Sequence, residues 1–243
     1  MAITFRGAGT GAEANNAAVS PTLFETATAG DLLLVYAMIS GGAGRSLSVS
    51  GSMTEAYSGS STAKRKDYLW YKIASGGETG FTVTPSGGAT NEPVVAMACS
   101  FRGVNTTSPV DSVAADTNIN TDTQDIGPIT AATPTASGGM VVVVGAKEDN
   151  WTSVATLTGD GLTWAEIAEL SSVIGSDCSI VWDYAIWSGA APTLTSKTFV
   201  VTGGAVWPAG GCMVTFNPEP AAGQPLVKRL GGTPFAARNV GVW

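Results

Sequence analysis

The sequence predicts an all-β protein: an antiparallel β-sandwich of the jelly-roll type, built from two sequence-related halves and followed by an extended C-terminal arm. Three observations predict this fold. Glycine contributes 31 of the 243 residues and charged residues only 13%, a composition typical of many short strands joined by turns. Apolar and alternating runs are separated by clusters of Gly, Ser and Pro. The same order of strand-like segments also occurs twice along the chain.

The two halves span about residues 25–104 and 137–218, and five segments of the first half have counterparts in the second. Within these pairs Trp70 is matched with Trp182. A half alone would leave one apolar face bare, so we expect both halves to share one core in a single domain over residues 1–218. The matched segments are residues 29–42 with 137–150, 47–61 with 156–172, 68–75 with 180–189, 79–88 with 196–204, and 94–103 with 211–219.

Individual strands are predicted from their hydrophobic periodicity. The runs LLLVYAMI and MVVVV are apolar on both faces, which predicts strands in the middle of their sheets. Phe81 and Val83 alternate with threonines, as expected of a half-buried strand. The stretch TWAEIAELSS has a helix-like spacing, but its counterpart MTEAYSGSS is not helical, so we predict a strand there. The polar connector, residues 105–136, is expected to add a strand or two at the edge of the sandwich.

The composition excludes several classes of function. The chain has no histidine, which excludes Ser–His and Cys–His catalytic pairs and histidine-ligated metals. Cys99, Cys178 and Cys212 each lie in an apolar strand-like run, which predicts buried thiols and no disulfide framework. No apolar run approaches the ~20 residues that cross a bilayer, and the N-terminus lacks a signal-peptide core. We therefore expect a soluble protein without cofactor or membrane contact, made in a cytoplasm.

The C-terminal arm, residues 219–243, has the opposite charge to the rest of the chain. It carries three basic residues and one acidic residue, a net charge of +2. Residues 1–218 carry nine basic and 18 acidic residues, a net charge of −9. An acidic body disfavours nucleic-acid binding, whereas a basic arm on an acidic body favours docking on a neighbouring copy.

The arm has neither a strand period nor a helical stripe, yet it is rich in apolar residues. Pro218, Pro220 and Pro225 predict a stiff, extended spacer that leads away from the domain. Apolar burial and ion pairs would offset the entropy lost when such a segment is ordered. We expect it to dock on a neighbouring subunit; the alternative is that it wraps over its own sandwich. The predicted contact residues are Leu226, Lys228, Arg229, Leu230, Phe235, Arg238 and Trp243.

One segment resembles a calcium loop. Its alternating short oxygen side chains are of the kind with which such loops gather six to eight ligands. The EF-hand pattern fails at two defining positions, since Thr121 and Gly127 stand where it requires Gly and Glu. The alternative is a solvated loop whose side chains bond their own backbone, and we expect no bound metal. The candidate ligands are Asp116, Asn118, Asn120 and Asp122.

Tryptophans and charged clusters give three further candidate sites. Trp151, Trp187 and Trp207 lie near predicted strand ends, where they could form an exposed platform for a host glycan or could cap the sandwich ends. The turn of residues 64–66, Lys-Arg-Lys, could contact phosphate or an acidic neighbour, although a solvated turn is expected. The densest carboxylates lie in the segment KEDN, residues 147–150, where a polar turn is expected, and at two glutamates of TWAEIAELSS. No spacing implies the facing carboxyl pair of a glycosidase, so we predict no enzyme.

Several of these segments also carry a family resemblance. The AGDLLLV and YKIAS strands, the FRGV…SPVD turn from Phe101 to Asp111, and the GLTW strand at residues 161–164 resemble a family of duplicated β-sandwich proteins. That family is common among tailed bacteriophages and prophages. The opening MAITFRGAGT and the closing RLGGTPFAARNVGVW are also similar to the ends of phage structural proteins. The resemblance covers nearly the whole chain, but its motifs are packing and turn motifs.

The resemblance implies a non-enzymatic component of a virion. A capsid decoration (cement) protein or head fibre is the first expectation, because a small domain of low charge suits a surface-bound unit. The alternative is a tail fibre or tail-tip module that binds host surface glycans. Other virion proteins, in the capsid or the tail, are the expected partners, within a homo-oligomer or multi-copy assembly.

Overall fold

Antiparallel pairing joins all the strands that the structure, a computed structural model, describes over residues 2–41, 44–61, 64–87, 91–115, 122–175 and 177–220. No α-helix occurs in these ranges, so the predicted all-β, antiparallel class is confirmed. The strands are β1 (Thr4–Ala8), β2 (Ala12–Asn15), β3 (Leu32–Ser40), β4 (Ser46–Val49), β5 (Thr54–Ser60), β6 (Arg65–Ile73), β7 (Val83–Ser86), β8 (Pro93–Arg102), β9 (Val110–Ala115), β10 (Asp122–Thr123), β11 (Ile126–Ile129), β12 (Gly139–Lys147), β13 (Ser153–Val154), β14 (Trp164–Ser172), β15 (Cys178–Trp187), β16 (Lys197–Phe199), β17 (Val201–Thr202) and β18 (Trp207–Phe216).

Two six-stranded sheets form the body of the protein. The first has the order β1–β8–β3–β6–β5, with β2 also pairing with β8. The second has the order β10–β18–β12–β15–β14, with β9 also pairing with β18. The central strands β3 and β12 are buried at every position, as their apolar runs predicted. The strand β14 confirms the prediction for TWAEIAELSS, and β9 confirms that the connector adds an edge strand.

The two large sheets pack against each other through one apolar core. This core takes Leu34 and Tyr36 from β3 and Val142 and Val144 from β12, all fully buried. The indole ring of Trp182 lies 6.2 Å from the ring of Tyr36, measured between centroids. Residues from both halves therefore share a buried core, while the boundaries of the domain stay a prediction.

The outer face of each large sheet is covered by segments from the same half and from the residues that precede it. In the first half the two-stranded sheet β4–β7 and residues 19–27 cover a cluster that contains Trp70 and Phe81. In the second half the sheets β11–β16 and β13–β17 cover a cluster that contains Trp151 and Phe199. Both faces of each large sheet are thus buried, which explains why the central strands are apolar throughout.

Four of the outer strands of the large sheets carry irregularities that the central pairs lack, and the other two, β2 and β10, pair regularly but are only four and two residues long. Register shifts occur in the pairs β1–β8, β5–β6, β14–β15 and β9–β18. The pairs β3–β6, β3–β8, β12–β15 and β12–β18 run without a shift. A bulge near an exposed edge twists it away from further pairing, so these edges are protected against joining another sheet.

The predicted match of Trp70 with Trp182 is wrong by one position. Trp70 points outward, where its ring stacks on Tyr68 with centroids 4.9 Å apart, whereas Trp182 points into the shared core. Both positions lie beside a bulge. The bulge of β5 follows the pair Glu55–Trp70, and the bulge of β14 follows the pair Glu166–Asp183. Because side chains alternate along a strand, a shift of one residue moves a tryptophan to the other face.

The structure also bears on the predictions for the cysteines and for a membrane span. Cys99, Cys178 and Cys212 are free, buried thiols, as predicted. Burial raises the pKa of all three thiols well above the usual range, so they stay protonated near neutral pH. Among the residues that the structure describes, no helix has the length and hydrophobicity needed to span a membrane.

Candidate assembly surface

The chain leaves the sandwich at a point tied to the first half. The backbone N–H of Asn105 donates to the carbonyl of Asn217 at 3.0 Å, and the N–H of Glu219 donates to the carbonyl of Gly103 at 2.8 Å. Between these bonds Val104 and Pro218 form an isolated β-bridge. The root of the C-terminal arm is therefore fixed against the loop that follows β8.

An apolar cavity of about 500 Å³ opens beside this exit. Its walls are mainly apolar, and small residues and the carboxylate-bearing Glu219 complete the lining. The apolar walls come from Ile3, Ile186, Trp187, Pro218 and Pro220. The two prolines belong to the exit segment itself, so one wall of the cavity is the start of the arm.

The tryptophan wall of the cavity is held in place by the sequence around it. The indole N–H of Trp187 donates to the carbonyl of Ala136 at 3.3 Å. Gly139, at φ +145°, leaves room for the ring: a Cβ there would lie 2.6 Å from the Trp187 ring and 2.9 Å from the carbonyl oxygen of Phe216. Only glycine suits this position, because it needs both the space and the unusual backbone angle.

The predicted contact residues of the arm follow the last residue that the structure describes, Pro220. All seven of them lie outside the described residues, so their contacts with a neighbouring subunit stay a prediction. They are Leu226, Lys228, Arg229, Leu230, Phe235, Arg238 and Trp243.

Two ion pairs lie on the first half near the exit. Arg102 binds Asp31 through two hydrogen bonds of 2.8 and 3.0 Å, and Arg6 donates to Glu25 at 2.7 Å. Burial by itself raises the pKa of Asp31, but the hydrogen bonds and charge of Arg102, helped by a backbone N–H, lower it overall. Next to these pairs Phe24 lies over Gly7 with 68% of its surface exposed. The sequence reasoning missed this patch, because its charges come from distant segments.

The predicted glycan platform is not formed as an exposed surface. Trp151 and Trp187 are buried, with exposed fractions of 7% and 8%, and Trp207 is half-buried under the ammonium of Lys64, 4.5 Å from its ring centroid. Trp187 lies beside the first residue of β12 and Trp207 near its last, about 25 Å apart at the usual rise of a strand. The three rings therefore cap different parts of the sandwich, the alternative that the sequence left open.

Only one of the four candidate calcium ligands lies among the residues that the structure describes. Asp116, Asn118 and Asn120 lie outside the described residues, and Asp122 is exposed in β10, opposite Pro208. Within the described ranges no three His, Cys, Asp or Glu side chains are grouped so as to hold a metal ion. The calcium loop stays untested.

The basic turn differs from the solvated turn that was expected. Arg65 is fully buried, donates to the carbonyl of Ala146 in the other half at 3.2 Å, and lies 3.5 Å from the carboxylate of Asp67. Lys64 and Lys66 are half-buried. The expectation is therefore wrong for Arg65, because the second sheet packs over it.

In the segment KEDN the chain bends at Glu148 and Asp149 directly after β12, as the expected polar turn requires, but both side chains are buried. The carboxylate of Glu148 accepts a hydrogen bond of 2.9 Å from the hydroxyl of Ser40, across the interface between the halves. Burial raises its pKa to about 7; the bond from Ser40 and the charge of Lys64 oppose this rise, and Glu92 adds to it. The only sequence signal was the position of these residues, directly after a strand buried on both faces.

A second buried carboxyl, Asp183, was missed because it interrupts an apolar strand. Its side chain accepts a hydrogen bond of 2.6 Å from the backbone N–H of Leu157 on the outer side of the second sheet. Burial raises its pKa to about 6, and Glu166 and Glu169 add to the rise. Glu148 instead faces the other half, so these two carboxyls do not face each other across a cleft.

The exit, the apolar cavity and the protected sheet edges are thus the features that bear on function. No protein-family model, no curated protein and no solved structure matches this chain. Its function has to be inferred from its own residues.

Proposed function

We propose that this protein is a non-enzymatic structural component of a bacteriophage virion, a capsid decoration (cement) or head-fibre protein. It docks on neighbouring virion subunits through residues 219–243. One observation carries the proposal: an acidic sandwich with protected edges ends beside an apolar cavity and continues into a basic, apolar segment. The resemblance to duplicated phage proteins supplies the lineage, and the virion is the proposed location.

The protected edges support docking through the arm. A protein that assembles by adding strands needs at least one regular, open edge. Here β1, β5, β9 and β14 each take part in a pair with a register shift, and the remaining outer strands, β2 and β10, pair regularly but are only four and two residues long. Contacts with other subunits are then left to the ends of the sandwich and to the arm.

The charge distribution supports the same mode of assembly. The arm carries a net charge of +2 and the preceding 218 residues a net charge of −9. Opposite charges steer the arm of one copy towards the body of another and fix its orientation. The attraction weakens with salt, which makes assembly sensitive to ionic strength.

We also infer that the two halves arose by duplication. Leaving aside β2 and β10, the large sheets have the same strand order, since β9, β18, β12, β15 and β14 take the places of β1, β8, β3, β6 and β5. The small sheets β4–β7 and β13–β17 also occupy the same places in chain order. Each large sheet takes four of these five strands from one half and the fifth, β1 or β9, from the segment that precedes that half. We therefore place the jelly-roll character within each such unit, between a large sheet and the small sheet that covers it.

Binding to particles tests the proposed function. Full-length protein and a variant truncated after Pro218 are each mixed with empty capsids of tailed phages. We expect the full-length protein to co-sediment with the capsids and the truncated variant to remain in the supernatant. Equal binding of both, or binding of neither, would overturn the proposal; circular dichroism checks that the truncated variant retains its β-structure.

A tail fibre or tail-tip module that binds host glycans is the second candidate, and the cavity beside Trp187 favours it. A volume of about 500 Å³ with an aromatic wall suits a small organic ligand such as a sugar ring. This candidate predicts binding to host polysaccharide that is lost in the Trp187→Ala variant and retained in a variant truncated after Pro220, which keeps the cavity lining complete. The decoration proposal predicts the reverse dependence on the arm.

A further inference from the structure

The apolar cavity lies at the end of the sandwich from which the C-terminal segment begins. Its walls combine Ile3 at the N-terminus, Ile186 and Trp187 at the end of β15, and the prolines of the exit. Trp187 and Gly139 hold this shape in place, as described above. The strand ends thus fix the wall formed by Trp187, and the segments that enter and leave the sandwich complete the cavity.

We propose that this cavity receives the first apolar cluster of the C-terminal segment, Leu226, Val227 and Leu230, from a second copy of the chain. The inference rests on the proposed function, because it names the surface on which the arm docks. It also makes the interaction self-complementary, since every copy carries both the cavity and the cluster.

The chemistry of the segment matches the cavity and its surroundings. The cluster supplies branched apolar side chains, which gain free energy when they leave water for apolar walls. Residues 221–243 hold three basic residues and no acidic one, a net charge of +3. Residues 1–220 hold nine basic and 19 acidic residues, a net charge of −10, so a basic segment is attracted to any copy of the body.

The spacing of the prolines favours a second copy over the segment's own body. Pro220 forms part of the cavity wall, and Leu226 follows six residues later. If the spacer is as extended as its prolines predict, a rise of about 3.1 Å per residue would put Leu226 roughly 19 Å from Pro220. That reach exceeds the width of a cavity of about 500 Å³, so an extended spacer favours the cavity of a neighbouring copy over the chain's own.

A twofold exchange follows from this reach. If two sandwich ends face each other, each segment enters the cavity of the other copy, and two equivalent contacts form in one closed dimer. The second contact forms within the same assembly, so its effective concentration is high and the pair holds more firmly than either contact alone.

Cross-linking of full-length variants that each carry one added cysteine tests the proposal. Ser188, exposed on the cavity rim, is changed to Cys in one preparation, and Gly231, next to the apolar cluster, is changed to Cys in another. The native thiols are buried, so a short bismaleimide reacts at the introduced positions. We expect a cross-linked dimer when the two preparations are mixed. The matched control replaces Ser188→Cys with Ser58→Cys, an exposed position on the edge strand β5, and should give no dimer.

Two outcomes would overturn the proposal. One is a cross-link that forms only within single chains of a Ser188→Cys, Gly231→Cys double variant, which would assign the cavity to the chain's own segment. The other is no difference between the Ser188→Cys and Ser58→Cys mixtures. As a second measurement, Ser137→Trp fills the cavity and should convert the dimer to monomer in light scattering, whereas Ser58→Trp should not.

The capsid co-sedimentation and the cross-linking experiment distinguish failure of this inference from failure of the proposed function. Capsid binding without the cross-link would reject this receptor and leave the proposed function standing. A cross-link without capsid binding would establish self-assembly and reject the virion role.

Discussion

The two halves of this protein share a strand order but place their polar groups differently. In the first half Leu69 points into the shared core and Trp70 points outward, whereas in the second half Trp182 points inward and Asp183 outward. The bulges in β5 and β14 fall beside these corresponding positions. A common backbone thus tolerates the exchange of aromatic, aliphatic and acidic residues, provided that each face keeps enough apolar area.

The halves also differ in where a carboxyl is buried. In the first half Asp67 accepts a hydrogen bond of 2.8 Å from the hydroxyl of Tyr36, inside the shared core. In the second half the buried carboxyl of Asp183 lies under the outer cover and bonds a backbone N–H. At the interface the first half therefore contributes the Tyr36–Asp67 pair, and the second contributes the carboxyl of Glu148 and the large indole of Trp182.

The largest expected effect on stability comes from removing the side chain of Trp182 from the shared core. Trp182→Ala leaves a cavity between the two sheets and should cost about 3–5 kcal/mol of the free energy of unfolding. Urea unfolding followed by circular dichroism measures the loss. Val173→Ala, at a position 73% exposed, is the control and should stay within about 0.5 kcal/mol of the parent. A loss below 1 kcal/mol for Trp182→Ala would show that the shared core does not depend on this side chain.

The next effect tests a glycine that the second half alone requires. From the register of the central strands, Gly139 corresponds to Asp31 of the first half, which carries a side chain. Gly139→Ala would bring its Cβ to 2.6 Å from the Trp187 ring, and its φ of +145° adds strain. We expect a loss of about 1–3 kcal/mol in the unfolding free energy and a shift in tryptophan fluorescence. Gly189→Ala, where a Cβ meets nothing within 4 Å, is the matched control; equal losses would contradict the assigned role.

A pH effect sharpens the comparison at the interface. Glu148 titrates at about 7 in the fold and near 4.5 when unfolded, so the folded state holds its proton more tightly. Stability should therefore fall as pH rises from about 4.5 to above 7, by on the order of 2 kcal/mol. Glu148→Gln should remove most of this fall and be more stable than the parent at pH 8, but not at pH 4. Thermal unfolding across this range measures it; Glu55→Gln, exposed on β5, should leave the pH profile unchanged.

The smallest effect compares Asp183 with Asp31, whose pKa values move in opposite directions. Burial raises the pKa of Asp183 to about 6, so its contribution to stability falls as pH rises from about 4 to above 6. The pKa of Asp31 is lowered overall, so its contribution is present above the usual pKa and is lost as pH falls below it. Asp183→Asn should stabilise the protein at pH 8 by about 1 kcal/mol, and Asp31→Asn should destabilise it by a similar amount. Changes of the same sign at pH 8 would refute the contrast.

Local pattern accounts for the parts of the fold that the sequence predicted correctly. The runs at β3 and β12 are apolar at each position, and only a strand covered on both faces buries every side chain of such a run. The edge strand β14 was harder, because Trp164, Ile167 and Leu170 have a helical spacing. Its bulge between Glu166 and Ala168 explains the ambiguity, since the extra residue shifts the alternation of two by one position.

The candidate site was predictable only in part. Composition alone separated a basic, apolar segment from an acidic body, but it did not reveal the cavity beside the exit. That cavity joins Ile3, Ile186 and Pro218, which are far apart in the chain and meet only when the ends of several strands converge. The tryptophan candidates failed for a related reason, because a residue near a strand end is exposed or buried according to the loops that pack over it.

By itself, the sequence determined the all-β class, the two central strands, the buried thiols and the charge contrast between body and arm, because each depends on composition or on neighbours within a few residues. Only the tertiary structure decided that Arg65, Glu148 and Asp183 are buried and that Trp70 and Trp182 face opposite ways. The physical reason is that burial of a polar or aromatic side chain depends on which distant segment covers it, and that segment is chosen by the packing of whole sheets.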